Sequence, residues 1–257
     1  MNAAALDASI LLPAFVAGLL VTATHVPLGM QVLARGIVFI DLAIAQIAGC
    51  GVLVADRLGF GTEGLAVQVA ALCAALAGAL MLTWTERLWP DVQEAIIGVV
   101  FVLAATGSLL LLASNVHGSE HLRDLLVGQI LWVQPRELAA VAAVYAVVLA
   151  TWFGLGSRMG RVGFYLLFAC TVTMSVQLVG VYLVFATLIV PPLATRALAA
   201  RRLGAAWGVG AAGYALGLVV STSLDVPSGP AIVWMLVIVA LIVHATVARR
   251  IPRVAQG

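Results

Sequence analysis

Apolar residues run along this chain in blocks rather than in alternation. The blocks fall at Ile10 to Val26, Ile37 to Val54, Leu65 to Trp84, Val92 to Ala113, Leu138 to Leu155, Phe164 to Ala194, Ala205 to Val220 and Ala231 to Val247. A bilayer core of about 30 Å is crossed by about 20 helical residues, so each block predicts a transmembrane helix. The connections are short and carry breakers or charges: "PLGMQVLARG", "DRLGFGTEG", "ERLWPD", "SRMGRVG" and "LDVPSGP". The pattern predicts an all-α, polytopic transmembrane bundle of eight or nine spans, with residues 1–257 forming one domain. The first block has neither a basic flank nor a cleavage site and reads as a retained helix, not a signal peptide.

The sixth block is too long. Its roughly 31 residues would reach about 46 Å as one helix, so it is either tilted or broken. The stretch "TMSVQLVG" within it offers Ser175, Gln177 and Gly180 as the place of a break, tolerated at membrane depth where it lines a cavity.

Composition agrees with a bilayer protein, since 63% of residues are hydrophobic and only 9% charged, far from the balance of soluble domains. A net charge of +2 is too small to indicate nucleic acid as a partner. Cys50, Cys73 and Cys170 lie inside apolar blocks at unrelated spacings and read as small packing residues. Trp84, Trp89, Trp132 and Trp152 fall near block ends, where aromatic belts are expected. Every basic residue is an arginine. With nine crossings and a cytoplasmic C-terminus, ten arginines (35, 87, 158, 161, 196, 201, 202, 249, 250 and 253) lie inside against three outside; with eight crossings the split is nine against four. Both arrangements obey the positive-inside rule.

Polar groups inside the blocks are costly in lipid and mark candidate sites. His25 lies in the first block and Asp41 and Gln46 in the second. The connection around Leu33 is eight residues from both His25 and Asp41, so an antiparallel hairpin predicts the two at similar depth. An imidazole and a carboxylate suit Zn²⁺, with Mn²⁺ and Fe²⁺ as alternatives; a hydrogen-bonded packing pair is the plainer reading. Gln46, five residues on, is about 140° from the face of Asp41. Glu94 lines a pathway or is a helix-start carboxylate favoured by the dipole. In "NVHGSEHLRD", His117 and His121 are four apart with Glu120 between them, either a weak ion-catching patch or solvated loop residues, and the pattern is not the HExxH of metalloproteases. His244 is expected at the interface beside the terminal arginines.

The run "VGVYLVFATLIVPPLATRALAARRLG" passes from apolar helix through Pro191 and Pro192 to Arg196, Arg201 and Arg202. The prolines are expected to end the helix and leave a basic segment at the membrane face. This run, followed by "STSLDVPSGPAIV", resembles the C-terminal half of the permease subunits of metal-importing ABC transporters. "RGIVFIDLAIAQIAGCGV", "EAIIGVVF" and "DLLVGQILWV" resemble their second helix, their fourth helix and the segment before their fifth.

The resemblance implies a homodimeric permease in the inner membrane of a bacterium. It would import a divalent transition metal, zinc first and manganese or iron otherwise, with two cytoplasmic ABC ATPase subunits and an extracytoplasmic metal-binding protein as partners. It implies no resident cofactor and no catalysis in this chain, and it makes Arg196, Arg201 and Arg202 the segment that docks the ATPase. The absence of lysine agrees, because a phosphate-cradling Walker loop needs one. In one respect the chain departs from the family. The second helix there carries an Asp and a His four apart; alignment on Gly51 and Val52 puts Leu42 and Gln46 at those positions, and Asp41 on another face. The rival class is a stand-alone secondary transporter or channel, with Asp41 and Glu94 as its protonatable groups.

Overall fold

Pro27 does not end the first helix. A proline removes one backbone donor, but neighbouring helices in a membrane bundle tolerate the loss. In the computed structural model, which describes residues 8–60, 64–112, 130–198 and 201–250, helix α1 runs unbroken over Ala8–Arg35 with Pro13 and Pro27 inside it. It is followed by α2 (Ile40–Arg57), α3 (Leu65–Leu88), α4 (Gln93–Leu112), α5 (Pro135–Leu155), α6 (Gly160–Val179), α7 (Val181–Ala194), α8 (Arg202–Leu224) and α9 (Ser228–Arg250). Short 3₁₀ turns lie at 90–92, 130–132 and 156–158, and the described residues contain no strand. Seven of these helices, all but α2 and α7, are long and apolar enough to cross a membrane.

Contacts between helix ends fix which ends lie together. The backbone N–H of Phe39, in the α1–α2 turn, donates to Oε1 of Glu94 at the start of α4 at 3.2 Å. Arg161 at the start of α6 reaches Glu86 near the end of α3 at 3.8 Å. The Arg35 guanidinium lies 4.3 Å from the ring centroid of Phe164, which packs on Trp152 near the end of α5. At the opposite end, Arg57 donates to the carbonyl of Leu111.

Glycines record how the last helices run. A Cβ on Gly210 would meet Thr22 of α1, and one on Gly18 would overlap the ring of Tyr214, so α8 is antiparallel to α1. Gly213 and Gly217 seat Leu236 and Ile232 in the same way, which makes α9 antiparallel to α8. Small residues letting backbones approach are the ordinary means of packing helices in lipid.

Arginines 35, 87, 158, 161, 196, 201, 202, 249 and 250 therefore share one end, while Arg57 and Arg136 lie at the other. By the positive-inside rule the arginine-rich end is cytoplasmic. This matches the distribution expected for nine crossings.

The overlong sixth block is broken, and the break is Gly180 (φ 83°, ψ 160°). That conformation is open essentially to glycine alone. Because α6 begins and α7 ends at the cytoplasmic end, the two form a bent hairpin rather than one tilted helix. The α7 leg, with 14 residues, is about 21 Å long and does not span the core by itself. The legs make few contacts with each other: α6 packs on α2 and α3, whereas α7 packs on α1 and α9. Each is pinned by a buried tyrosine hydroxyl. Tyr145 of α5 bonds Ser175 of α6, and Tyr214 of α8 bonds Thr187 of α7 at 2.9 Å.

Pro191 and Pro192 also fail to stop their helix. They lie in the last turn of α7, which continues to Ala194, and the Thr195 N–H still reaches the Pro191 carbonyl at 3.3 Å. What they remove are the donors that would have met the carbonyls of Thr187 and Leu188. Gly29 of α1 comes so close to the freed carbonyl that a Cβ there would overlap the Leu188 oxygen.

Candidate functional site

The face of α2 decides which of its polar residues meets open space. A groove of about 750 Å³ lies between α2 and α4 on one side and α7 and α9 on the other. Leu42 and Gln46 contribute from α2, Phe101 from α4, Tyr182 and Phe185 from α7 and Trp234 from α9. Phe39 stacks on Phe185 with the ring planes 2° apart and the centroids 6.4 Å apart. This pair joins the two walls close to the α1–α2 turn.

Asp41 points elsewhere. It lies in the first turn of α2 and is 1% exposed, with Oδ1 lacking a hydrogen-bond partner. A carboxylate at this position favours the helix N-terminus whatever else it does. The angular separation of Asp41 from Gln46 expected from sequence is therefore the separation between core and groove.

His25 and Asp41 are not at one depth. The turn between α1 and α2 occupies residues 36–39 instead of lying around Leu33, because α1 continues through Pro27 to Arg35. His25 is thus ten residues, about 15 Å, from the end of α1, whereas Asp41 is on the first turn after it. The imidazole is fully buried; Nδ1 contacts the Val21 carbonyl at 3.0 Å and Thr24 Oγ1 at 3.1 Å, and Nε2 has no partner. Among the described residues no three His, Cys, Asp or Glu side chains gather as a metal site.

Glu94 is at the cytoplasmic end, half-buried in the first turn of α4 and bonded to the Phe39 backbone. It fastens the α1–α2 turn to α4, as a helix-start carboxylate. Next to it Gln93, which sequence reasoning missed, bonds the Leu82 carbonyl and Thr85 at 3.0 Å each and so ties α3 to α4. His117 and His121 lie outside the described residues; the helices flanking their connection, α4 and α5, meet it at the arginine-poor end. His244 is exposed near the cytoplasmic end of α9.

The three candidate docking arginines divide into two kinds. Arg196 and Arg201 are exposed. Arg202 is half-buried in the first turn of α8, and its Nη2 donates to the Pro192 carbonyl at 3.5 Å, a cation placed at the C-terminus of α7. Sequence gave no sign of this, because the bond depends on how α8 turns back on α7.

A multi-pass helical bundle with a cytoplasmic basic face and a groove between two groups of helices is the architecture of a membrane transport protein. The chain belongs to the ABC 3 transport family, whose model matches residues 7–247. No curated protein matches it. Among solved structures, PsaBC from Streptococcus pneumoniae, in complex with a Fab, shares 21% identity over 95% of each chain with a TM-score of 0.76. An inward-facing conformation of a protein assigned as a metal-chelate type ABC transporter shares 15% identity over 93% of this chain and 86% of that one, with a TM-score of 0.66. At these identities the likeness is one of fold.

Proposed function

We propose that the chain is the permease subunit of an ABC importer for a divalent transition metal, zinc first and manganese or iron otherwise, in a bacterial inner membrane. Residues 1–257 act as one permease domain, and two copies enclose the path. Two cytoplasmic ABC ATPases drive it, and an extracytoplasmic metal-binding protein supplies the ion. Family membership supports transport, and the metal-chelate assignment of one structural neighbour supports the cargo class.

The observation that carries the route is the position of Leu42 and Gln46 on the groove wall. These are the two positions at which the family's second helix carries its Asp and His. The ion therefore travels along this face and meets an amide where relatives offer an imidazole, a weaker ligand suited to passage without tight retention. Asp41 and His25 support the helices instead of sharing the ion.

The test is ATP-dependent metal uptake in vesicles holding the reconstituted complex, at equal permease levels. Gln46→Ala is expected to lower uptake about tenfold, the scale of one lost polar contact to a charged species, and Asp41→Asn to lower it less than threefold. Normal transport by Gln46→Ala with a dead, correctly inserted Asp41→Asn would move the path to the Asp41 face.

Docking of the ATPase is assigned to Arg196 and Arg201. Replacing both with Glu, with Arg202 retained to hold α7, inverts the charge of an exposed face. Recovery of the ATPase with the permease should fall roughly tenfold while membrane insertion is unchanged. Copurification and uptake at wild-type levels would reduce these residues to topological anchors.

A further inference from the structure

A second cleft, of about 560 Å³, opens at the cytoplasmic ends of α1, α5 and α6, away from the groove. Gln31, Arg35, Trp152, Met159 and Phe164 line it, with Gly160 beside them. Arg35 is half-buried there, one face of its guanidinium covered by the Phe164 ring at 4.3 Å. Its Nη1 is turned inward without a hydrogen-bond partner. Glu86 of α3 is held through Oε1 by Arg161 at 3.8 Å. No Asp or Glu side chain lines the cleft, so Arg35 presents its charge there with no carboxylate beside it in the lining. Arg158, exposed on the α5–α6 connection, adds positive charge at the same end.

The surroundings select the anion. Trp152 stands at the depth where indoles settle between headgroups and hydrocarbon. Phe153, which also lines the cleft, and Leu155 beside it are 56% and 52% exposed, an apolar flank along which acyl chains can lie. The opening is on the leaflet that concentrates anionic lipid, and basic pockets between transmembrane helices on this side hold such headgroups. A planar guanidinium matches phosphate oxygens with two parallel bonds.

We propose that this cleft holds the phosphodiester headgroup of an anionic phospholipid from the cytoplasmic leaflet, with Arg35 on the phosphate and the Gln31 amide on neighbouring headgroup oxygens. The lipid supplies a counter-charge to Arg35 and fills the wedge between α1 and the α5–α6 connection.

The full-length permease in nanodiscs provides the test, read through Trp152. Emission assigned to Trp152, by subtraction of Trp152→Phe, is followed as brominated phosphatidylglycerol or brominated phosphatidylcholine replaces the unlabelled lipid. Half-maximal quenching should need about tenfold less phosphatidylglycerol than phosphatidylcholine, the scale of a charge-assisted contact. Arg35→Gln should abolish that preference and Arg158→Gln should keep it. If Arg35→Gln does not insert, Gln31→Leu serves in its place, with the preference reduced about threefold. Equal quenching by the two lipids in the wild type overturns the proposal, as does a preference that survives the substitutions at Arg35 and Gln31. Release of quenching by millimolar inorganic phosphate would make this a site for a small anion and overturn the lipid assignment.

Discussion

Gly29→Ala should yield a permease that inserts but does not pack. The added Cβ would overlap the carbonyl oxygen of Leu188, a backbone atom with little room to retreat. Pro192 prevents that carbonyl from being drawn into a regular helical bond, so the close approach of α1 is part of how α7 is held. Overpacking of this kind costs about 3 kcal/mol. The check is thermal unfolding in detergent, with Gly36→Ala as comparison. Gly36, unlike Gly29, has a positive φ, 68°, and nothing lies within 4 Å of its added Cβ; about 1 kcal/mol is expected there. Equal effects at the two positions would mean that α1 and α7 do not meet as described.

Gly180→Ala should abolish transport. At φ 83° and ψ 160° a residue with a Cβ is strained by about 1–3 kcal/mol, and the strain is relieved if α6 propagates into α7. A continuous helix cannot keep both hydroxyl pairs, Tyr145 with Ser175 and Tyr214 with Thr187, because they hold the legs to different neighbours. The α7 wall of the groove, with Tyr182 and Phe185, would move with it. Uptake is expected to fall by more than about tenfold, with a lowered unfolding temperature and normal membrane levels. Wild-type uptake by this variant would remove the break from the transport mechanism.

The helical class and the number of apolar blocks were legible because lipid demands long apolar runs, which need no partner to be recognised. Boundaries suffered where proline was taken at its soluble-protein value: α1 passes Pro27, and α7 passes Pro191 and Pro192. That error moved the first turn and placed His25 and Asp41 at a common depth. The Gly180 break was legible as one of three candidates, but not the side to which α7 returns, which depends on contacts with α1 and α8. Of the candidate site, helical geometry alone separated Asp41 from Gln46. It could not say which of them faces the groove, since that face is set by α4, α7 and α9. Buried pairs such as Tyr145 with Ser175 join residues 30 positions apart and leave no local pattern.

The close partners of α1, namely α7 and α8, begin at Val181 and Arg202, far downstream of it. Helix α1 must therefore wait, with His25, Thr22 and Thr24 in its middle, until α2 to α6 have been synthesised. Until then α1 lacks the α7 and α8 surfaces against which it packs. The helices α2 to α4 can settle on one another as they emerge, because their contacts are between neighbours in sequence. Assembly of this chain thus joins early local contacts among α2 to α4 to late ones made by α1, and a truncation before α7 leaves α1 without the surfaces that bury it.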